Sequence, residues 1–196
     1  EIERAQARIN SVLKERETKR LVVVNSTAKR GIYNSSGKYI PYPHHVNKER
    51  GLGRFQSVID ALRSDIVFLE LLDSGDEKAS GLHGTSVIRC ESFREAAALS
   101  FFADAYLGIE GGLHHLFAAL RKNAAVIFGG WISPIITGYA FHDNFYVGSP
   151  TAPCGKGVPC AHCADAMLQI AEDSVITALR RQLNRDNVPD SAICNT

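Results

Sequence analysis

From residue 20 to residue 130 the chain alternates short unbroken apolar runs with longer stretches in which apolar residues recur every three or four positions. The runs predict strands: LVVVN at 21–25, the body of DIVFLELL at 65–71, SVIRC at 86–90, AYLGI at 105–109, AAVIFG at 124–129 and NFYVG at 144–148. Runs this apolar belong to strands covered on both faces, the condition of a parallel sheet. The spaced pattern predicts helices between them, at 53–63, 92–103 and 112–121. Ile2, Ala5, Ile9, Val12 and Leu13 predict a leading amphipathic helix over 2–18, and residues 164–187 read as helical before a loose end, NVPDSAICNT. Strands and helices that alternate across short connections predict an α/β fold, a Rossmann-like, doubly wound and largely parallel sheet. One connection departs from this pattern. The polar, glycine-bearing stretch 26–51 is too long for an ordinary loop and is expected to be functional or mobile.

Composition narrows the picture. With 196 residues and 45% hydrophobic content the chain can bury one good core, so the expectation is a single domain over 1–196, with a helical lead-in at 1–19 and a cysteine-bearing loop and C-terminal helix at 149–187. Lys and Arg number 22 against 21 Asp and Glu, a net charge of +1, which provides no global field for nucleic acid or an anionic membrane. No apolar run reaches the roughly 18–20 residues of a membrane span, and EIERAQARIN lacks the build of a secretory signal. Residue 1 is Glu and the only methionine is Met167, so the expectation is that translation starts upstream.

The chemistry concentrates in GIEGGLHHLFAALRKNAAVIFGG, residues 108–130. In an open parallel sheet ligands sit beyond the carboxyl ends of the strands, where loops enter helix N-termini. Glu110, Gly111 and Gly112 occupy such a loop, and His114 and His115 fall in the following first turn. Free N–H groups, the positive end of the helix dipole and close backbone approach at glycine suit a phosphate. The same residues also suit a tight turn with a capping or packing histidine. Neither the G-x-G-x-x-G fingerprint nor a Walker loop is present.

YLGIEGGLHHLFAAL, followed by AVIFGG and PIITGY, resembles the nucleotide-sugar-binding half of glycosyltransferase family nine, the ADP-heptose lipopolysaccharide heptosyltransferases. LVVVNSTAKR with Lys38, SFREAAALSFFADAYLG and CAHCADAMLQIAEDSVITAL extend the resemblance over most of the chain. It implies one half of a GT-B architecture, with an N-terminal Rossmann-like partner domain that holds the acceptor and supplies the catalytic base. No residue of this chain is assigned that base. It further implies inverting transfer of a sugar from a nucleoside-diphosphate donor to a saccharide hydroxyl, with no cofactor and no required metal. The implied location is cytoplasmic, with peripheral contact at the inner membrane as an option.

By the same resemblance Gly111, Gly112 and His115 bind the donor diphosphate, joined by Ser26 or Thr27 after the first strand and by Lys38 from the long loop. Lys29 and Arg30 are substitutes. Donors fixed around a departing diphosphate would stabilise the charge that builds there. For ribose or sugar, Glu77 is favoured over Asp73 and Asp76, and Glu110 is expected to turn away from the diphosphate towards the sugar or to stabilise the turn. His114 stands where the family usually has a small residue. Trp131 and Tyr139 near the predicted carboxyl edge could stack on a base or sugar, or simply pack. His44 and His45 could reach the cleft, while His83 and His142 lack sequence partners and Phe101 and Phe102 belong to the core or an interdomain contact.

The cysteines offer a rival chemistry. Cys154, Cys160 and Cys163 form C-x5-C-x2-C around His162, with Cys90 and Cys194 elsewhere. Three thiols and an imidazole could hold zinc, but no second half-site follows, and adjacent His162 and Cys163 rarely share a metal. Structural thiols are the expectation and zinc the alternative. A noncatalytic nucleotide-binding or assembly module is the alternative to an enzyme.

Overall fold

The apolar runs form the middle layer of a three-layer structure. The computed structural model describes residues 2–12, 19–28, 31–36, 38–74, 79–148 and 150–184. Its strands are β1 (Arg20–Asn25), β2 (Gly31–Tyr33), β3 (Tyr39–Pro41), β4 (Ile66–Asp73), β5 (Thr85–Cys90), β6 (Ala105–Ile109), β7 (Asn123–Gly129) and β8 (Asp143–Tyr146). Six of them make one sheet in the order β5-β4-β1-β6-β7-β8, and every pairing is parallel. Counted by sequence within the sheet, this is the 3-2-1-4-5-6 order of a doubly wound nucleotide-binding fold.

Alternation along each strand sorts the core into two slabs. Val22, Val24, Phe68, Leu107 and Ile127 face one side, packing with Phe55, Val58 and Ile59 of α2 (Leu52–Leu62) and with Val175 and Leu179 of α7 (Glu172–Leu183). Leu21, Val23, Leu69, Tyr106 and Val126 face the other, against Ala5 and Ile9 of α1 (Ile2–Val12), Leu99 of α3 (Phe93–Ser100) and Phe117 of α4 (Gly112–Ala119). Every residue of β6 and β7 is buried, as covering on both faces requires.

Three local features differ from the sequence pattern. The long stretch 26–51 contains an antiparallel β2–β3 hairpin and a 3-10 helix, Pro43–Lys48. A four-residue helix, α5 (Pro134–Thr137), sits in the connection from β7 to β8, started by Ser133, whose hydroxyl accepts from the Ile135 N–H. The C-terminal helical region is two helices, α6 (Ala161–Gln169) and α7, broken where Ile170 goes extended at φ −75°, ψ 109°. The break buries the Ile170 side chain and turns its carbonyl to the guanidinium groups of Arg50 and Arg54. Residues 13–18 of the predicted first helix and 185–187 of the last lie outside the described residues.

Candidate functional site

The strand order reverses at β1, which has β4 on one side and β6 on the other. A crevice at such a switch point is where doubly wound folds bind ligands. Here a cleft of about 440 Å³ opens beyond the carboxyl ends of these strands, with Thr27, Lys48, Asp73, Phe93, Gly111 and Gly112 on its walls. Two helices start at it. The first turn of α3 is capped by Ser92, whose hydroxyl accepts from the Glu95 N–H at 3.2 Å. The mouth of α4 is bare: Gly111 is its cap residue, in extended backbone, and no side chain caps it. A Cβ placed on Gly111 would meet nothing within 4 Å, whereas one on Gly112 would lie 3.7 Å from the Phe93 ring. First-turn amides with no side-chain acceptor and an open approach are an arrangement that suits an anion.

Lys48 brings a positive charge to that mouth. It closes the 3-10 helix, and its Nζ lies 2.7 Å from Glu110 Oε2 and 4.4 Å from the centre of the Trp131 ring. Glu110 is 7% exposed, so its carboxylate needs a compensating charge, which Lys48 provides. The carboxylate expected to face a sugar or to brace the turn is ion-paired with Lys48. The indole N–H of Trp131 donates to the Lys156 carbonyl at 3.2 Å. That contact and the one with Lys48 fix the position of the ring.

The two histidines after the glycines have different environments. His115 is half-buried, with Nδ1 2.9 Å from the Tyr139 hydroxyl, and it is absent from the cleft wall. His114 is fully buried among His115, Phe128, Tyr139 and His142, and neither of its ring nitrogens makes a full hydrogen bond. Burial, helped by the neighbouring His115 and His142, pushes its pKa down to about 4, while Glu110 and the Gly111 carbonyl pull weakly the other way. His142 is likewise brought to about 4 by burial, against the opposing contact of its Nε2 with the Lys122 carbonyl at 3.1 Å. Both imidazoles are therefore neutral near pH 7.

The remaining predicted residues divide. Thr27 and Asp73 reach the cleft; Ser26 is buried behind it, its hydroxyl without a hydrogen-bond partner. Lys38 is exposed in the hairpin turn, its N–H held by the Asn34 side chain at 2.8 Å, and it does not line the cleft. Among the described residues Lys48 is the lysine that does. Lys29, Arg30, Asp76 and Glu77 lie outside the described residues. His44 and His45 fall in the 3-10 helix, and His83 is exposed in the loop before β5. Phe101 is half exposed, while Phe102 packs against the α3 side of the core. Lys48 and Phe93 went unmarked in the sequence because one sits in a generic polar loop and the other reads as the first apolar residue of a helix.

The cysteine motif closes on itself. Cys160 is the cap residue of α6, and Cys154, Cys160, His162 and Cys163 bring one ligand atom each to within 4.8 Å of one another. The Cys154 and Cys163 sulfurs are 2.8 Å apart, and both thiols are free. N–H groups at the start of α6 hold the Cys160 thiol below its usual range, while burial raises that of Cys163. Cys90 is separate, buried at the cleft floor with its thiol pushed up to about 11 by burial. Cys194 lies outside the described residues.

Compared by sequence, the chain matches no family model and no curated protein. Compared by structure, it is similar to the glycosyl transferase family 9 protein from Veillonella parvula DSM 2008, with a TM-score of 0.63 at 13% identity over 92% of this chain and 51% of that one. It is similar as well to E. coli ADP-heptose LPS heptosyltransferase II, with a TM-score of 0.60 at 14% identity over 91% and 51%. E. coli heptosyltransferase WaaC with ADP gives 0.57 at 16% identity over 91% and 48%. The fold is that of one GT-B half. This GT-B half spans about half the length of each of those proteins, and its cleft lies at the β1/β6 switch point, where open α/β sheets bind ligands.

Proposed function

We propose that this GT-B half binds the donor of a glycosyltransferase, a nucleoside-diphosphate sugar of the ADP-heptose kind, for inverting transfer to a hydroxyl of a saccharide acceptor. The observation that carries the reading is the uncapped mouth of α4 opening at the switch point with Lys48 beside it. The diphosphate would lie against the amides of Gly111 and Gly112, with Thr27 and Lys48 as further donors. As the bond to the sugar breaks, negative charge grows on the diphosphate, and donors already in place lower that barrier without reorganising. Phe93, 60% exposed on the cleft wall, offers a flat apolar face to the nucleoside, and Asp73 a carboxylate to its ribose. Glu110 would hold Lys48 in position. His115 would act through its hydrogen bond to Tyr139 unless its ring turns towards the cleft. The base that deprotonates the acceptor, and the acceptor site itself, belong on this reading to an N-terminal partner domain.

Calorimetric titration with ADP, UDP and GDP tests this. The expected result is low-micromolar binding of at least one diphosphate, weakened at least about tenfold in Phe93→Ala and in Gly111→Val, which fills the open approach with a side chain. Absence of binding to all three would remove the donor reading and leave an assembly module.

A further inference from the structure

We infer that Cys154, Cys160, Cys163 and His162 hold one thiophilic transition-metal ion, zinc in the first instance, in a closed four-coordinate site. Three thiols and an imidazole from two separate segments converge so that all their ligand atoms lie within 4.8 Å of one another. Two sulfurs bound at about 2.3 Å to a tetrahedral centre stand about 3.8 Å apart, so the cluster is within a small adjustment of ligating geometry, with Cys154 and Cys163 moving apart. The frame that brings the sulfurs together is hydrogen-bonded at both ends. The Cys154 N–H donates to the Gly130 carbonyl at 3.0 Å, anchoring that sulfur to the end of β7. The Cys160 N–H donates to Asn47 Oδ1 at 2.8 Å, and Cys160 sits at the start of α6, where helix amides favour a thiolate. The pair Cys154 and Cys163 alone would suggest a disulfide, but that bond needs about 2.05 Å, and the sulfur of Cys160 and a ring nitrogen of His162 converge on the same point.

Binding would exchange three thiol protons, released to solvent, for three metal–sulfur bonds, with the imidazole as fourth ligand. All four positions then belong to the protein, so the ion is structural, with no position open for water or substrate. It would fasten the loop 154–160, which is hydrogen-bonded to the 3-10 helix that ends at the cleft's lysine. Asn47 donates to the Val158 carbonyl at 2.9 Å and accepts from Cys160, and Trp131 donates to the Lys156 carbonyl at 3.2 Å. Lys48 lies between Asn47 in sequence and Trp131 in space. The metal thus acts as a clasp behind the positive wall of the cleft, and only this last consequence rests on the donor-binding reading.

The full chain, purified under reductant, is measured for bound zinc and iron, stripped with a chelator, and titrated with Zn²⁺ and Co²⁺. The expected result is one ion per chain. The Co²⁺ form should show thiolate-to-metal charge transfer with the ligand-field bands of a tetrahedral site. Cys160→Ser should weaken binding at least about tenfold, His162→Asn should keep the charge transfer but shift the ligand-field bands, and Cys90→Ser should leave stoichiometry unchanged. Metal removal should raise amide exchange at residues 43–48, whether or not any diphosphate binds. Uptake below about a tenth of an equivalent by the reduced chain, a Co²⁺ form lacking thiolate charge transfer, or a Cys154–Cys163 disulfide in the non-reduced peptide map would overturn the inference. The cobalt spectrum of the unmutated chain decides the matter even where a cysteine variant does not fold.

Discussion

Lys48 and Glu110 are close to inseparable. Their side chains are 14% and 8% exposed, so removing the ammonium leaves a carboxylate with little water to replace it. Lys48→Met should destabilise the fold by about 3 kcal/mol in urea unfolding, and adding Glu110→Gln should restore most of that loss. Both variants lack the cleft cation, so both should bind diphosphate weakly, which separates the stability role of the pair from its ligand role. The buried histidines carry a different signature. Their folded pKa values of about 4 lie below the ordinary 6.5, so between those two values the unfolded chain binds more protons than the folded one. Stability is therefore fully present above about pH 6.5 and is lost as pH falls towards 4, with a slope of up to about 1.4 kcal/mol per pH unit for each histidine. His114→Leu should flatten that decline by one histidine's share, read from urea midpoints measured across the window. An unchanged slope would mean that His114 keeps a proton in the fold.

The turns after β6 and β7 each contain paired glycines, yet the two pairs do unlike things. Gly129 has φ +58°, and a Cβ there would lie 2.6 Å from Met167 Cε, because α6 is seated directly over the end of β7. Gly129→Ala should cost about 2–3 kcal/mol in denaturant unfolding. Gly111 is extended with nothing near, and Gly111→Ala should stay within about 0.5 kcal/mol of the parent. In the sequence both pairs look the same, since a glycine signals freedom of backbone or of space without saying which. The strands themselves were legible: Leu21–Val24, β6 and β7 are buried on both faces and, Asn123 at the start of β7 apart, announce it by having no polar or charged break. The break at Ile170 was not, because apolar spacing continues through it and its cause is two arginines from another part of the chain. The β2–β3 hairpin was equally hidden, its strands being three residues each.

Across the whole molecule, the fold class followed from local alternation, whereas the working parts of the site depended on contacts between distant segments. Gly111 and Gly112 could be placed from sequence because a strand end and a helix start flank them. Lys48 could not, since what makes it special is its meeting with Glu110 and Trp131, each more than sixty residues away. The same holds for the thiols, whose spacing looked incomplete until Cys154 was folded back onto the start of α6.

The hydrogen bonds from Asn47 to Val158 and from Cys160 to Asn47 span 111 and 113 residues, which sets an order of events during vectorial synthesis. A nascent chain that has emerged only as far as β8 already owns all six strands of the sheet and the glycine turn. Its lysine can already meet Glu110 and Trp131, but the neighbouring Asn47 still lacks its partners, because the segment that holds it is made later. Until α6 and α7 emerge, one face of that sheet stays partly bare, and the wall of the cleft that contains Lys48 lacks its backing.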